Sequence, residues 1–215
     1  MKIFVLDNYD SFTYNLVEAV RIISGSQITV RRNDKFDLKE IEGYDKIILS
    51  PGPGIPDEAG QLKKVIETYK ATKSILGICL GMQAIGEVCG AKLINLPKVF
   101  HGVSSSIKIT DRDAIIFKGM DEVIEGGRYH SWALDPNSIP KELKVTAVDY
   151  EGIPMAVSHS VYDLKGLQFH PESIMTKQGN AMLTNWLRDR PQLSFPTQGS
   201  DNFNHGSINE SKLFL

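Results

Sequence analysis

The stretch SILGICLGMQAIGEVCG, residues 74–90, decides the fold, because a short strand leads directly into a helix there. Residues 75–78 are apolar or glycine, as expected of a strand buried on both faces. The apolar residues from Ala84 to Val88 follow helical spacing, and Gly90 ends the pattern. A strand followed at once by a helix is the repeating unit of α/β proteins, so the stretch predicts a parallel sheet covered by helices.

The sequence before this stretch repeats the same alternation. Apolar runs predict three further strands, at residues 3–6, 28–30 and 46–49. Two segments have apolar residues at helical spacing, at residues 12–23 and 62–69. Asp10 or Ser11 would cap the first of these helices, and Gly25 would end it.

The second half of the chain differs, because strand-like runs follow one another with few helices between them. Four such runs are expected, at residues 103–109, 143–148, 155–159 and 167–169. We interpret them as antiparallel additions to the sheet, followed by a last helix at about residues 179–188. The expected fold class is therefore α/β, with a mostly parallel central sheet between two helical layers and antiparallel strands added to it.

Composition limits the function classes. The 215 residues predict one domain at 1–190 and a polar, flexible C-terminal tail at 191–215. A formal net charge of −2 gives no reason to expect a surface for nucleic acid or for a membrane. Two cysteines are too few for a disulfide framework and suit a reducing cytosol. The N-terminal apolar run is too short for a signal peptide or a membrane span, so we expect a cytoplasmic protein.

Cys79 stands between two glycines in the pattern Gly-x-Cys-x-Gly, at the junction of the predicted strand and helix. This is the setting of a nucleophile elbow, a turn so tight that side chains at Gly77 and Gly81 would collide. The helix N-terminus favours a thiolate there, and the Leu80 amide would point toward the atom under attack. The alternative is a small buried cysteine, which is how we interpret Cys89.

A cysteine nucleophile needs a general base and acid, and histidine is the usual choice. His170 ends a predicted strand and precedes Pro171, so it would project at the carboxyl edge of the sheet, where Cys79 also lies. Glu172 could hold the imidazole in the required tautomer. His170 and Glu172 are therefore the predicted partners of Cys79.

The other four histidines fit this role less well. His159 falls within a predicted strand and is interpreted as structural, and His205 lies in the polar tail. His101 and His130 lie in loops beside glycine or serine, so either of them could line the site.

A glycine-proline loop, SPGPGIPD at residues 50–57, follows the strand that ends at Leu49. Gly52 and Gly54 permit a close approach of ligand to backbone, and the prolines stiffen the loop. Such a loop at the carboxyl edge could supply a second oxyanion amide, although taken alone it could equally be a plain turn. It lacks the Gly-Lys-Ser/Thr ending of a phosphate-binding loop.

Together these segments resemble the class I (triad) glutamine amidotransferases, which have a flavodoxin-like, three-layer α/β/α fold. The matching segments occur in the family's order: SPGPG at 50–54, GICLGMQ at 77–83 and QFHPES at 168–173. The resemblance implies that Cys79 is the nucleophile, His170 the base and Glu172 its carboxylate partner. It further implies contacts to the glutamine substrate from the oxyanion residues and the segment RYHSW: Gly52, Gly54, Leu80, Gln83, Ser131 and Trp132.

The N-terminal segment LDNYDSFTYNLV resembles the small subunits of anthranilate synthase and aminodeoxychorismate synthase. The resemblance implies that L-glutamine is hydrolysed here and that the ammonia passes to a chorismate-binding synthase subunit. It implies no cofactor and no metal in this chain, and Mg²⁺ in the partner subunit. Met82 and Trp132 differ from the residues common in chorismate-linked relatives, which leaves the subfamily open.

Two other interpretations stand beside this one. A stand-alone cysteine hydrolase of similar fold, such as a peptidase or a γ-glutamyl hydrolase, would use the same elbow. A flavodoxin-like binding module would contain an unreactive cysteine. Both leave the DNYDSF and SPGPG segments unexplained.

Overall fold

The computed structural model describes residues 1–189, so the predicted polar tail at 191–215 lies outside the described residues. Its strands, in chain order, are β1 (Lys2–Asp7), β2 (Gln27–Arg32), β3 (Lys46–Leu49), β4 (Ser74–Ile78), β5 (Leu93–Asn95), β6 (Val103–Ile109), β7 (Val123–Arg128), β8 (Trp132–Leu134), β9 (Leu143–Val148), β10 (Pro154–His159) and β11 (Leu164–Leu167). Its helices are α1 (Thr13–Ser24), α2 (Leu62–Tyr69), α3 (Leu80–Val88) and α4 (Gly179–Arg188). Within this described part of the chain, no helix has the length and apolar composition that crossing a membrane requires.

Nine strands form one mixed sheet in the order β2-β1-β3-β4-β11-β10-β9-β6-β7. The neighbours from β2 to β11 run parallel, and we call these five strands the parallel half. The other four strands, from β10 to β7, pair antiparallel and form the antiparallel half. The predicted α/β fold with antiparallel additions is confirmed, and the additions are nearly as wide as the parallel part.

Apolar side chains on both faces of the sheet hold two helical layers. Along β1, Ile3 and Val5 are buried in one cluster, while Phe4 and Leu6 are buried in the other. Helices α1 and α4 pack on the first face, and α2 and α3 pack on the second. Each such side chain stabilises the fold by roughly 1.5–3 kcal/mol relative to exposure. The three predicted layers are therefore present.

The ends of α1 show which predicted caps form. Asp10 Oδ1 accepts a hydrogen bond from the Phe12 amide at 2.8 Å, just before the helix begins. The N-cap residue is Phe12, and within residues 1–189 no side chain caps this helix, so the prediction that Asp10 or Ser11 caps it is wrong. The Asp10 bond closes the turn that leads into the helix. Gly25 ends the helix as predicted, with a left-handed φ of 58° and its amide bonded to the Arg21 carbonyl at 2.9 Å.

The last strand of the sheet lies earlier than predicted. We expected it at residues 167–169, but β11 ends at Leu167. Beyond that point the chain turns toward β7 of the antiparallel half, where His170 forms an isolated bridge with Gly127. The segment after β11, a strand in the middle of the sheet, therefore contacts the edge strand β7 at His170.

Three strands, β5, β7 and β8, were not predicted. Strands β5 and β8 have three residues each and pair only with each other, so their apolar pattern is too short to recognise. Strand β7 reads VIEGGR, and glycine is a weak strand former. The structure explains Gly126, because a Cβ there would lie 2.4 Å from Ile107 Cδ1 and 2.9 Å from Phe169 Cγ.

Candidate active site

Cys79 occupies the tight turn between β4 and α3. Its backbone has φ 52° and ψ −104°, a positive φ that residues other than glycine rarely adopt. A Cβ at Gly77 would lie 2.4 Å from the Gly81 carbonyl carbon, which confirms the collision predicted for this turn. A Cβ at Gly81 would lie 2.5 Å from the Leu49 carbonyl oxygen on β3. Both glycines are therefore steric requirements of the elbow.

Backbone hydrogen bonds hold the elbow to both neighbouring elements. The Cys79 amide donates to the Leu167 carbonyl of β11 at 2.7 Å, and the Cys79 carbonyl accepts from the Gln83 amide at 3.0 Å. Leu80 is the first residue of α3, so its amide has no acceptor within the helix. Cys79 is 5% exposed. The thiol thus lies at the carboxyl edge of the parallel half, beside a free helix N-terminus.

His170 is oriented by contacts at its backbone and its ring. Its amide donates to the Gly127 carbonyl at 2.9 Å, and its carbonyl accepts from Thr176 Oγ1 at 2.6 Å. Its Nδ1 lies 2.7 Å from Glu172 Oε1, and neither side chain is more than 2% exposed. The two predicted partners of Cys79 therefore form a buried hydrogen-bonded pair.

The charges around His170 favour its protonated form. Burial by itself lowers the pKa of the imidazole, but the Cys79 sulfur and the Glu172 carboxylate outweigh burial and raise the pKa to about 10. Within residues 1–189, the Nε2 atom has no hydrogen-bond partner. The ring therefore has one nitrogen held by Glu172 and one nitrogen available for proton transfer.

Two aromatic side chains that the sequence analysis did not select pack against His170. The Tyr129 ring lies 4.8 Å and the Phe12 ring 6.3 Å from the imidazole, both in edge-on geometry. Asp10 is also in electrostatic range: burial raises the pKa of its carboxyl, and the Phe12 amide and the His170 ring oppose that shift. The sequence offered one signal for these residues: Asp10 and Phe12 lie in the segment DNYDSF, and Tyr129 lies in RYHSW.

A cleft of about 200 Å³ opens beside Cys79. It is lined by residues of the glycine-proline loop, the elbow, α3 and the RYHSW segment: Gly52, Pro53, Gly54, Cys79, Gln83, Tyr129, His130, Ser131 and Trp132. The structure thus brings together most of the predicted substrate-contacting residues. Leu80 is not among the lining residues and is 1% exposed, and His170 packs against the lining residue Tyr129.

The glycine-proline loop is tied to the N-terminal segment. The Asn8 amide donates to Ser50 Oγ at 2.8 Å, and Asn8 Nδ2 donates to the Ser50 carbonyl at 2.9 Å. A Cβ at Gly52 would lie 2.6 Å from Asn8 Cβ and 2.8 Å from Leu80 Cδ2. Gly54 has a left-handed φ of 73°. The loop is therefore a fixed wall close to the first residue of α3.

Amide side chains link the cleft to the thiol. Gln83 Nε2 donates to the Trp132 carbonyl at 2.9 Å and to Gln168 Oε1 at 3.2 Å. Gln168 Nε2 in turn lies 3.5 Å from the Cys79 sulfur. The sequence analysis assigned no role to Gln168, although it is the first residue of the QFHPES segment that contains His170.

His130 does not take the place of His170. Its Nδ1 lies 2.8 Å from the Trp132 carbonyl, and its Nε2 accepts from Arg128 Nε at 3.1 Å. Arg128 Nη1 contacts Asp149 Oδ2 at 2.9 Å in a fully buried ion pair. Burial and the Arg128 charge lower the pKa of His130 to about 3. Both nitrogens of this ring are thus occupied and the ring is neutral.

The remaining candidates lie outside the cleft. His159 Nδ1 accepts from the Val161 and Tyr162 amides at 3.0 Å and stabilises a turn, and His101 is exposed. His205 lies outside the described residues. Cys89 is partly buried, and burial raises the pKa of its thiol. Within residues 1–189, no three His, Cys, Asp or Glu side chains are grouped as metal ligands.

Comparisons with known proteins agree with this geometry. A family model described as glutamine amidotransferase class-I matches residues 4–189. The aminodeoxychorismate synthase component 2 of Klebsiella aerogenes is 42% identical over 86% of this chain and 98% of that protein. The aminodeoxychorismate/anthranilate synthase component 2 of Bacillus subtilis is 40% identical over 86% of this chain and 95% of that protein.

The fold is also found among solved structures. A candidate GMP synthase protein from Thermoplasma acidophilum superposes with a TM-score of 0.78 at 26% identity, covering 87% of this chain and 92% of that one. The family match spans the elbow, the glycine-proline loop and the His170 segment alike. The chain therefore belongs to the class I glutamine amidotransferase family.

Proposed function

We propose that this protein hydrolyses L-glutamine to glutamate and ammonia through a triad of Cys79, His170 and Glu172, and delivers the ammonia to a chorismate-aminating synthase subunit. The observation that carries the proposal is the buried His170–Glu172 pair at 2.7 Å, whose ring is within electrostatic range of a sulfur on a strained elbow. A structural cysteine would not need a positive φ and a histidine with one free nitrogen beside it.

The first half of the reaction forms a thioester. The Cys79 thiolate attacks the side-chain amide carbon of glutamine, and a carbon–sulfur bond forms. The Leu80 amide, with backbone amides of the glycine-proline loop at Gly52 and Gly54, stabilises the oxyanion. His170 Nε2 gives its proton to the amide nitrogen, the carbon–nitrogen bond breaks, and ammonia leaves.

The second half regenerates the enzyme. His170, now neutral at Nε2, takes a proton from water, and the resulting hydroxide attacks the thioester carbon. The carbon–sulfur bond breaks, glutamate leaves, and the Cys79 thiolate again faces a protonated ring. Glu172 holds Nδ1–H throughout and stabilises the imidazolium, as the carboxylate of a triad does. These steps require no cofactor.

The polarity of the cleft suits the backbone end of glutamine. Both amide hydrogens of Gln83 are used by the Trp132 carbonyl and by Gln168 Oε1. Within residues 1–189 nothing donates to Gln83 Oε1, so this oxygen is available to an ammonium group. Ser131 and Trp132 line the same side of the cleft. We therefore assign glutamine recognition to Gln83, Ser131 and Trp132.

The synthase partner follows from the relatives, which are component 2 subunits of aminodeoxychorismate and anthranilate synthases. We propose a chorismate-binding component 1 that uses Mg²⁺, in the cytoplasm, where both thiols stay reduced. Free ammonia is protonated and lost in water, so hydrolysis should be coupled to docking. Asp10 and Phe12 of the DNYDSF segment lie beside His170. A partner that binds this segment would therefore change the surroundings of the triad.

The test is glutaminase turnover measured for the chain alone, with the chorismate-binding subunit, and with chorismate added. We expect at least a tenfold stimulation by the subunit, which needs only about 1.4 kcal/mol of coupling. Glutamate and ammonia must appear in equal amounts in the absence of chorismate. Equal rates in all three mixtures would refute partner activation, and hydrolysis of peptides or polyglutamates without a partner would favour the stand-alone hydrolase.

A further inference from the structure

A buried polar chain runs from the antiparallel half of the sheet to the glutamine cleft. Its members, in order, are Asp149, Arg128, His130, the Trp132 carbonyl and Gln83. The successive contacts are 2.9 Å, 3.1 Å, 2.8 Å and 2.9 Å long. The proposed function uses only the last two residues, Trp132 and Gln83, so the first three have no task in it.

The donors and acceptors allow one arrangement only. Arginine has no acceptor, so Arg128 Nε donates and His130 Nε2 must accept. The hydrogen of a neutral imidazole is then on Nδ1, which donates to the Trp132 carbonyl. That carbonyl accepts from Gln83 Nε2 as well. The amide of Gln83 is therefore held with its nitrogen toward Trp132 and its oxygen available to the cleft.

The outer end of the chain is rigidly anchored. Asp149 Oδ1 accepts from the Glu151 amide at 3.0 Å and from the Ile153 amide at 2.9 Å, which fixes the carboxylate. The Arg128 guanidinium lies 3.5 Å from the centre of the Phe100 ring, and the His130 ring stacks on the same side chain at 5.4 Å. Arg128 and the His130 ring are thus both held in place, by Asp149 and by Phe100 respectively.

We infer that His130 is a positioning residue for glutamine binding. Arg128 fixes the orientation of its neutral ring, the ring holds the Trp132 carbonyl, and this carbonyl fixes the amide of Gln83. The inference rests on the proposed function, because it assigns Gln83 to the backbone end of glutamine. The low pKa of His130, about 3, keeps the ring neutral throughout the physiological range. A protonated ring would donate from both nitrogens and repel Arg128.

Two variants separate the two contacts of the ring. In His130→Asn the amide nitrogen occupies the place of Nδ1 and still donates to the Trp132 carbonyl, but the contact to Arg128 is lost. In His130→Gln the amide oxygen occupies the place of Nε2 and still accepts from Arg128, but the contact to Trp132 is lost. Both variants lose the ring on Phe100, so the packing loss is shared.

The experiment measures KM and kcat for glutamine in the full chain with its synthase subunit, together with the rate at which iodoacetamide labels Cys79. We expect His130→Gln to raise KM about tenfold and His130→Asn to raise it no more than about threefold, since loss of one buried hydrogen bond has this order of effect. We expect kcat and the labelling rate to change by less than about threefold in both variants.

Equal KM increases in the two variants would overturn the inference, and so would a loss confined to kcat. A second measurement does not depend on the variants folding: nitrogen NMR of the imidazole in the wild-type chain. The Nδ1–H tautomer without titration between pH 5 and pH 8 is expected. An Nε2–H tautomer, or titration in that range, would overturn the inference. If wild-type enzyme with its synthase subunit releases no glutamate from glutamine, the proposed function itself fails.

Discussion

The surroundings of His170 and His130 differ in charge, although both rings are buried near the same cleft. His170 is 2% and His130 6% exposed, and burial lowers the pKa of each. Around His170 the Cys79 sulfur and the Glu172 carboxylate reverse this effect and raise the pKa to about 10. Beside His130 the Arg128 guanidinium adds to it, and the pKa falls to about 3. The charge of the neighbour, more than the depth of burial, decides the protonation state.

The difference separates two tasks. In the proposed mechanism His170 transfers a proton, so the residues around it should determine turnover. The region around His130 holds fixed dipoles at the wall of the glutamine cleft, so its residues should determine affinity. A substitution at His170 that changed only KM, or one at His130 that changed only kcat, would contradict this separation.

The largest effect is expected from Cys79→Ser. Because the thiolate forms the covalent intermediate in the proposed mechanism, glutamine-dependent product formation should fall by about 10³-fold or more. The synthase subunit should still form product when ammonium salt is added, which serves as the control for an intact complex. Glutaminase activity above roughly one hundredth of the wild-type value would sink the assignment of Cys79.

Replacement of the proposed base, His170, should have the second-largest effect. His170→Asn should lower kcat by about 10²–10⁴-fold, because in the proposed mechanism His170 delivers the proton to the leaving nitrogen. The matched control is His159→Ala, which removes the Nδ1 acceptor of the Val161 and Tyr162 amides and should lower the melting temperature while turnover persists. If turnover is stopped instead by loss of His101 or His130, the proposed triad is wrong.

Substitution of the elbow glycine Gly77 should lower the stability of the fold. Gly77→Ala places a Cβ against the backbone of Gly81, at 2.4 Å, where no flexible side chain can yield. The free energy of unfolding should fall by about 1–3 kcal/mol, the usual cost of overpacking. Gly43→Ala is the control, since a Cβ there has nothing within 4 Å. Equal denaturation midpoints for the two variants would contradict the steric account of the elbow.

The smallest effect is the dependence of stability on pH. The pKa of His130 is about 3 in the fold and about 6.5 when unfolded, so the unfolded chain binds more protons between these values. Stability therefore falls as pH drops through this window, by about 1 kcal/mol between pH 6 and pH 5. Urea titrations of wild type and His130→Asn should show the shallower pH dependence in the variant. Parallel curves would mean that His130 is not held neutral.

Some features depend only on local sequence, and these were predictable. The elbow is one, because glycines two positions either side of Cys79 meet across a single turn. Helix α4 begins and ends at the predicted residues 179 and 188, because its apolar spacing alone defines it. The pairing of His170 with Glu172 is also local, since the two side chains are two residues apart.

Other features depend on contacts between segments far apart in the chain. Gly127 of β7 anchors His170, and Arg128 meets Asp149, only after the antiparallel half has assembled. These strands could not be recognised in the sequence, because β7 contains two glycines and β5 and β8 have only three residues each. Protonation states follow from such contacts, because a pKa depends on which charge lies beside a buried ring. The sequence by itself determined the nucleophile turn, the strand–helix order and the candidate triad. Only the tertiary structure decided that His170 is charged, that His130 is neutral and that Gln83 has its oxygen available to the cleft.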